Sequence, residues 1–277
     1  MSHQADLARW FAQLHHGEQP LLLPNPWDVG SARLLASLGF QALATTSSGF
    51  AATLGRLDGA VTREEALAHA AALAPATDLP LSADLENGFA HDPAGVAETV
   101  RRAIDAGLVG CSIEDHTADD ADPIYAFDAA VARIAAAAEA AHAGPVHLVL
   151  TARSENFLHG RPDLDDTIAR LRAFGEAGAD VLYAPGLTRI EDIRRVVAEV
   201  GGRPVNVLGL PDVPPVHELA AAGVARISVG GGFAFAAIAA VGEAARELQE
   251  DGTYGYFART REGSALAKRA FGRSWTH

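Results

Sequence analysis

Two carboxylates, Asp84 and Glu86, stand one residue apart at the end of the apolar run 79–83. Such a run is typical of a buried parallel strand, and side chains two residues apart on a strand share a face. Both carboxylates would therefore point the same way where the strand ends. Because like charges repel unless a cation lies between them, and because Mg²⁺ prefers carboxylate oxygens and water, the pair predicts a metal site. Two solvated loop acids are the alternative.

The other predicted strands also end in polar residues. These residues are Asn25, Trp27 and Asp28; Thr45, Thr46, Ser47, Ser48 and Gly49, with Asp58 in the following loop; Glu114, Asp115 and His116; Arg153 and Glu155; Tyr183 and Gly186; Asn206; and Gly230 to Gly232. If these strand ends meet, four acids surround one point: Asp58, Asp84, Glu86 and Glu114. A single arginine, Arg153, and a turn rich in hydroxyls would lie opposite. That set suits a small substrate with carboxylates, one of whose oxygens meets a Mg²⁺ acting as a Lewis acid.

Alternating strand and helix patterns would position these residues. We predict strands at 21–25, 42–46, 79–86, 110–115, 147–153, 180–186, 204–210 and 225–230. We predict a helix capped by Asp28 or Ser31 that ends near Leu38, and further helices at 62–75, 94–106, 124–142, 163–177, 188–199, 215–222 and 233–250. Glycines at 39, 107, 178 and 223 occupy the position where a helix ends in a left-handed residue. The alternation predicts an α/β fold, a (β/α)8 TIM barrel, whose chemistry gathers at the carboxyl ends of the strands. An open doubly wound sheet is the rival, but no Gly-x-Gly-x-x-Gly follows the first strand.

We predict one barrel domain over residues 1–277, with an N-terminal helix within 1–19 and a helical tail at 251–277. The net charge of −13 argues against nucleic-acid and anionic-membrane partners and favours small polar metabolites. A single cysteine, Cys111, permits no disulfide within the chain, so we expect a cytoplasmic protein. We see no signal peptide and no apolar run long enough to cross a bilayer.

Absent residues exclude several reaction classes. The only lysine, Lys268, lies in the tail, which argues against a Schiff-base aldolase unless the tail folds inward. Histidines 15, 16, 91, 142 and 217 have no ligand spacing and no His-Glu-x-x-His occurs, which argues against a zinc site. No Cys-His or Gly-x-Ser-x-Gly arrangement supports acyl transfer.

Six segments together resemble the isocitrate lyase and phosphoenolpyruvate mutase superfamily. They are Asn25-Pro26-Trp27-Asp28, Thr46-Ser47-Ser48-Gly49, Leu54-Gly55-Arg56-Leu57-Asp58, Ala83-Asp84-Leu85-Glu86-Asn87-Gly88-Phe89, Ile113-Glu114-Asp115 and Ala152-Arg153-Ser154-Glu155. The resemblance implies a Mg²⁺-dependent enzyme, with Mn²⁺ as the alternative ion. Such an enzyme makes or breaks C–C or P–C bonds beside an α-keto or α-hydroxy acid, through an enolpyruvate-like intermediate. It also implies a homo-oligomer, a dimer or tetramer, in which a C-terminal helix can be exchanged between subunits.

The resemblance also assigns roles to residues. Asp84 would be the direct metal ligand, and Asp58, Glu86 and Glu114 would act mostly through bound water. Arg153 would bind a substrate carboxylate, while Trp27, Thr46, Ser47, Ser48 and Gly49 would bind the rest of the substrate. Arg153, Glu114 and His116 are the candidate catalytic residues.

Several of these assignments have alternatives. Arg153 could instead be an ion-pair partner of Glu155, and Thr45 to Ser48 could only cap the chain after the second strand. One of Glu114 and Asp115 could hold neighbouring backbone, and His116 could be a bystander rather than a general acid. The glycines 230–232 could bind phosphate or relieve crowding.

The loop after the fourth strand departs from the superfamily pattern. The lyases carry a Lys-x-Cys-Gly-His type motif there and the mutases an asparagine, whereas this chain has His116-Thr117-Ala118-Asp119-Asp120-Ala121-Asp122-Pro123. Isocitrate cleavage and phosphoryl migration are therefore disfavoured. We expect decarboxylation of an oxaloacetate-type substrate, or lyase action on another small 2-oxo or 2-hydroxy dicarboxylate. A non-catalytic binder of oxalate-like or phosphorylated metabolites and a C–P hydrolase acting on phosphonopyruvate are the alternatives.

Overall fold

The computed structural model describes residues 2–272, in which eight parallel strands form one sheet in the order β1-β8-β7-β6-β5-β4-β3-β2. The strands are β1 Leu21–Leu23, β2 Leu43–Ala44, β3 Leu81–Asp84, β4 Gly110–Glu114, β5 Val149–Arg153, β6 Val181–Tyr183, β7 Val205–Leu208 and β8 Arg226–Ser228. The two outer strands, β1 and β2, approach each other where the Ala44 N–H donates to the Pro24 carbonyl at 3.1 Å. The sheet is thus a nearly closed barrel, and the predicted (β/α)8 fold is confirmed.

Helices surround this barrel. They are α1 His3–Leu14, α2 Val29–Ser37, α3 Ser47–Thr53, α4 Arg63–Leu73, α5 Pro93–Asp105, α6 Phe127–His142, α7 Leu164–Glu176, α8 Ile190–Glu199, α9 Val216–Ala221, α10 Gly232–Arg246 and α11 Phe257–Phe271. Within residues 2–272, no helix combines the length and the apolar character that a bilayer crossing requires.

Glycines end the helices as the sequence pattern predicts. Gly39, Gly107, Gly178 and Gly223 follow α2, α5, α7 and α9, with φ between 84° and 110°. Only glycine adopts this backbone conformation without steric cost, and each of these residues turns the chain from a helix toward the next strand.

The hydroxyl-rich turn after β2 differs from the prediction, because it is the start of a helix. Thr46 is the N-cap of α3, and its hydroxyl oxygen accepts the N–H of Gly49 at 3.3 Å. Two helices, α3 and α4, therefore follow β2, and Ser47 and Ser48 are held rigidly in the first turn of α3.

The C-terminal tail is helical where the structure describes it. Helix α11 packs against α2, and its residue Ala270 is fully buried. Residues 273–277 of the predicted tail lie outside the described part of the chain, and exchange of the tail between subunits stays a prediction.

Helix α1 closes the amino-terminal end of the barrel. Its apolar residues Ala5, Ala8 and Phe11 pack in one buried cluster with residues of β1, β5 and β6. Just beyond α1, the buried His15 ring makes two hydrogen bonds: Nδ1 to the Phe11 carbonyl at 2.8 Å and Nε2 to the Arg226 guanidinium at 3.2 Å. Since the guanidinium can only donate, these partners fix His15 as the neutral tautomer with its proton on Nδ1.

We expect His15 to make the fold sensitive to acid. Burial, together with the charge of Arg226, lowers the pKa of His15 to about 3, well below its usual value of 6.5. Protons then bind the unfolded chain more tightly, so the free energy of unfolding should fall as pH drops from about 6.5 toward 3. The total loss is roughly 5 kcal/mol. Urea unfolding of the wild type and His15→Gln between pH 7.5 and 5 measures this slope.

The variant should be less stable at pH 7.5 but should lose much of the pH dependence in that range. His16→Gln is the matched control, because His16 is exposed and next in sequence. Equal slopes in the wild type and His15→Gln would contradict the assignment.

Candidate active site

Three strands deliver charged residues to one point at their carboxyl ends. Asp84, Glu114 and Arg153 are the last residues of β3, β4 and β5. The strand register places Glu114 beside Arg153 and Asp84 beside Ser112. The barrel thus brings together residues that are 30 or more positions apart, as the sequence analysis predicts.

Arg153 is the centre of this group. Its Nη1 lies 3.1 Å from Oδ1 of Asp84, its Nη2 lies 3.1 Å from Oε2 of Glu114, and its Nε donates to Oε1 of Glu155 at 2.8 Å. Although burial opposes it, these carboxylates hold the pKa of Arg153 above its usual value. Arg153 does form the ion pair with Glu155 that is the alternative to a substrate-binding role. The three carboxylates use only three of the five N–H donors of Arg153, so two are left for a substrate.

Asp84 is tied to the hydroxyl-rich start of α3. Its Oδ2 accepts the Ser47 hydroxyl at 3.0 Å, and its own backbone N–H donates to Oγ1 of Thr45 at 3.0 Å. Its Oδ1 also accepts the backbone N–H of Glu86 at 3.2 Å. The Ser47 hydroxyl therefore orients the carboxylate that we predict as the direct metal ligand, and the Thr45 hydroxyl holds the backbone of Asp84.

The acids Glu86 and Asp58 lie among other carboxylates, which favours their protonated, neutral forms. Burial, followed by the neighbouring charges of Asp84, Glu114 and Asp58, raises the pKa of Glu86 to about 8. Asp58 is an exposed residue, but partial desolvation of its carboxyl group and the charges of Asp84 and Glu114 raise its pKa, while the nearby Ser47 hydroxyl lowers it. Glu86 has φ of 48°, a conformation that costs free energy for a non-glycine residue and is frequent at functional sites.

Two adjoining cavities open at this end of the barrel. The first, of about 190 Å³, is lined by Asp84 and by the hydroxyls of Thr45, Thr46, Ser47 and Ser48, among other residues. The second, of about 340 Å³, is lined by Glu86, Glu114, His116, Glu155 and His159, among other residues. Ser47, Asp58 and Arg153 border both cavities. A small anionic substrate would therefore meet hydroxyls on one side and the acid cluster on the other.

The donor set fits a hard divalent cation that keeps much of its water. In the described residues, these acids do not bring three ligating oxygens within 4.8 Å of one another. Mg²⁺ holds its ligands at 2.0–2.1 Å and retains several waters, so a carboxylate that contacts such a water lies about 4 Å from the ion. Acids that act through water can thus be up to about 8 Å apart, so one direct ligand with several water-mediated ones does not require a close triplet of oxygens.

We expect divalent-cation binding at this site to strengthen as pH rises. A proton on Glu86 competes with the cation until pH passes the pKa of about 8. Without cation, Glu86 binds its proton more tightly in the folded than in the unfolded chain. The free energy of unfolding should therefore fall as pH rises from about 4.5 through 8. Calorimetric titration with Mg²⁺ at pH 6.5, 7.5 and 8.5 tests this.

Glu86→Gln should flatten the pH dependence of Mg²⁺ binding above pH 7. Glu98→Gln, at an exposed position on α5, supplies the same substitution away from the site. A Mg²⁺ affinity that does not change across this pH range in the wild type would contradict the role of Glu86.

Two stacked histidines border the second cavity. The ring centroids of His116 and His159 lie 3.9 Å apart, and Nδ1 of His116 is 3.7 Å from Oε1 of Glu114. Nε2 of His116 is buried and makes no hydrogen bond with the described residues. His159 has no sequence signal other than its position four residues after Glu155, and its Nε2 lies 3.9 Å from Oε2 of Glu155.

The loop after β4 folds back on itself. His116 and Ile124 form an antiparallel bridge, and the Thr117 N–H donates to the Pro123 carbonyl at 2.8 Å. This short closed loop stands where the lyases of the superfamily would carry their Lys-x-Cys-Gly-His type motif.

Cys111, on β4, is fully buried, and burial raises the pKa of its thiol far above the usual value. It therefore has no access to the cavities.

Asp115, and not Glu114, is the acid that holds neighbouring backbone in place. Its Oδ1 accepts the backbone N–H of Glu155 at 2.8 Å, and its Oδ2 pairs with Arg170 at 3.2 Å. Glu114 instead faces Arg153 and lines the second cavity. Asp115 thus joins β4 to the segment after β5 and supports the position of Arg153.

Trp27 and Gly49, predicted to bind substrate, are not brought to these cavities. Both line a separate apolar groove beside α10, together with Ala234 and Ile238. A Cβ at Gly49 would come within 2.5 Å of Cγ2 of Thr46, so glycine is required there by close packing. These two substrate-binding assignments are not supported by the positions of the residues, because packing against α10 directs them away from the barrel mouth.

Among the glycines after β8, Gly231 relieves crowding. The Gly230 N–H donates to Oδ1 of Asn25 at 2.9 Å and is not available to an anion. A Cβ at Gly231 would come within 2.6 Å of both Phe235 and Oγ of Ser48. Of the two alternatives, the structure thus favours the steric one over a phosphate site.

Comparison with known proteins gives a consistent family assignment. The family model for phosphoenolpyruvate phosphomutase matches residues 11–249. An uncharacterised protein of Mycobacterium tuberculosis is 33% identical over 242 residues, which are 87% of this chain and 89% of that protein. An oxaloacetate decarboxylase of Paraburkholderia xenovorans is 30% identical over 212 residues, which are 74% of this chain and 69% of that enzyme.

A crystal structure is also similar to this chain. It is a protein of Burkholderia cenocepacia, provisionally assigned as a lyase or mutase, with 54% identity and a TM-score of 0.90. The match covers 92% of this chain and 91% of that one.

Proposed function

The chain belongs to the phosphoenolpyruvate phosphomutase family, within the isocitrate lyase superfamily, and from this premise we propose a specific reaction. We propose that the protein is a Mg²⁺-dependent enzyme that breaks a C–C bond beside the keto group of a small 2-oxo dicarboxylate, with oxaloacetate as the first candidate. The observation that carries the proposal is the Arg153 guanidinium, placed between Asp84 and Glu114 with N–H donors to spare. The similarity to an oxaloacetate decarboxylase supports it.

Four acids would hold the cation. Asp84 would ligate it directly, and Asp58, Glu86 and Glu114 would hold its water molecules. When bound, Mg²⁺ supplies a Lewis acid that stabilises negative charge developing on a substrate oxygen. Mn²⁺ has similar ligand preferences and is the alternative ion.

The residues of the chain bind and orient the substrate. The free N–H groups of Arg153 would donate to a substrate carboxylate in a bidentate arrangement. The hydroxyls of Thr46 and Ser48, held by the start of α3, would donate to the other end of the substrate. The Ser47 hydroxyl donates to Asp84 and would offer the substrate only its lone pairs. Because these groups are fixed before the substrate arrives, little ordering is needed at the moment of reaction.

The loss of carbon dioxide needs no acid from the loop after β4. The bond between the substrate carbon and the departing carboxylate breaks, carbon dioxide leaves, and the electron pair stays on the substrate as an enolate. The positive charge of Arg153 stabilises that enolate. One proton then completes the 2-oxo acid product, and we expect His116 or solvent to supply it. The closed loop and the buried Cys111 therefore favour this reaction over cleavage of isocitrate-type substrates.

The test is pyruvate release from oxaloacetate in the presence of Mg²⁺. A blank without protein and a reaction with Asp84→Ala measure the spontaneous, metal-promoted reaction. Turnover by the wild type well above both supports the proposal. Binding of 2-oxo dicarboxylates without turnover would make the protein a binder, and phosphate release from phosphonopyruvate would make it a C–P hydrolase. Either result would overturn the proposed reaction.

A further inference from the structure

A second cluster of ligand-type side chains lies at the opposite end of the barrel. His142 is the last residue of α6, His147 lies two residues before β5, and Asp180 lies just before β6. All three are therefore at the amino-terminal ends of the strands, away from Arg153. The proposed reaction uses none of them.

The three side chains converge. Nε2 of His142 is 3.1 Å from Oδ2 of Asp180, and Nε2 of His147 is 3.0 Å from Oδ1. The two imidazole rings stack in parallel, 4.0 Å apart. In residues 2–272, this is the one group of three His, Cys, Asp or Glu residues whose ligating atoms all lie within 4.8 Å of one another.

We propose that His142, His147 and Asp180 form a binding site for a transition-metal ion of the Zn²⁺ type, with water in the remaining coordination position. Two imidazole nitrogens and one carboxylate are a ligand set that Zn²⁺ accepts. Mg²⁺ prefers oxygen ligands, so the two ends of the barrel select different metals. The sequence spacing argued against zinc because the ligands come from three separate elements.

The distances between the ligand atoms require only a small adjustment to admit the ion. With bonds of 2.0–2.1 Å, ligand atoms around a tetrahedral Zn²⁺ lie about 3.4 Å apart. Both histidine-to-aspartate distances are already close to that value. The His147 side chain is 50% exposed, so its ring can turn to bring the two nitrogens together.

The surroundings support the carboxylate as a ligand. Oδ2 of Asp180 accepts the backbone N–H of Leu150 at 2.8 Å, which fixes the carboxylate against β5. Such hydrogen bonds from outside the ligand set orient metal ligands and raise affinity. All three side chains are at least partly accessible, with exposures of 23% to 50%, so an ion can enter from solvent.

An ion pair between the histidines and Asp180 is the competing explanation. It predicts no response to added metal, whereas a metal site stabilises the folded chain in proportion to metal concentration. A bound ion would also join the end of α6 to the starts of β5 and β6. The two explanations therefore differ in a direct measurement.

The experiment titrates Zn²⁺ into the full-length protein, first treated with chelator and then kept in excess Mg²⁺ to occupy oxygen-rich sites. We expect one Zn²⁺ per chain and a rise in melting temperature. His147→Asn and His142→Asn should each weaken Zn²⁺ binding by at least about 100-fold, because loss even of an outer hydrogen bond at a metal site costs 10- to 100-fold. His217→Asn, at an exposed position on α9, is the matched control.

A Co²⁺ absorption spectrum of the wild-type protein needs no variant. Intense visible bands, typical of tetrahedral cobalt with nitrogen ligands, would support the site even if both variants failed to fold. Absence of stoichiometric Zn²⁺ binding, or equal affinity in wild type and both histidine variants, would overturn the proposal. The outcome does not depend on turnover, so failure of the proposed reaction would leave this test intact.

Discussion

Asp84→Asn is expected to lower kcat for oxaloacetate decarboxylation by on the order of 10³-fold or more. The substitution keeps the size of the side chain but removes the charge of the one acid that we propose ligates the cation directly. In the structure Asp84 also accepts hydrogen bonds from Ser47 and Arg153, and an amide oxygen can retain part of these. The loss should therefore arise mainly from the missing charge rather than from a collapsed site.

Stability measurements separate these causes. Asp84 is one of the charges that raise the pKa of Glu86, so its neutralisation relieves repulsion. Without cation, Asp84→Asn should thus unfold at nearly the wild-type denaturant concentration, but added Mg²⁺ should no longer stabilise it. Asp92→Asn is the matched control, because asparagine replaces aspartate well at the N-cap of α5. Near-wild-type kcat in Asp84→Asn would refute the assignment of this residue.

Arg153→Lys is expected to lower kcat/KM by about 10²-fold or more, although the charge is conserved. A lysine ammonium cannot contact three carboxylates in three directions and still bind a substrate carboxylate in a bidentate arrangement. The side chain of Glu155 is 2% exposed, and the substitution would remove the Nε–H of Arg153 that donates to it. Since breaking a buried ion pair is costly, we also expect a loss of about 1–3 kcal/mol in the free energy of unfolding.

The charge of the ligand distinguishes a binding effect from a folding effect in this variant. If Arg153 binds a substrate carboxylate, the variant should lose more affinity for oxalate than for a neutral analogue. Arg195→Lys, on the exposed face of α8 with Asp165 and Glu199 as partners, is the control and should leave kcat/KM unchanged. An oxalate affinity that is the same in wild type and Arg153→Lys would contradict the proposed contact.

The barrel and the central acids could be predicted because each depends on local sequence. Helix-ending glycines such as Gly107 and Gly178 mark where strands begin, and an acid after an apolar run marks where a strand ends. The period-two argument for Glu86 is wrong, because β3 ends at Asp84 and Glu86 lies in the following turn with φ of 48°. Once parallel strands are placed side by side, Asp84, Glu114 and Arg153 must meet. Only their order along the chain and the fold class are needed for this step.

Other features depend on packing between distant elements and could not be predicted. Trp27 and Gly49 follow strand ends as the site residues do, but contact with α10 directs them into an apolar groove. His159 enters the site through stacking on His116. The short helix α3 depends on a single cap by Thr46, in a segment that propensity alone would leave as a loop.

The central claim is that acids from separate strands surround a divalent cation at the carboxyl end of the barrel. The most direct measurement is calorimetric titration of Mg²⁺ into the protein in the presence of oxalate, at pH 8.5, for the wild type and Asp84→Asn. We predict one Mg²⁺ per chain in the wild type and a loss of measurable binding in the variant. Mg²⁺ binding of equal affinity in both proteins, or no binding to the wild type, would contradict the claim.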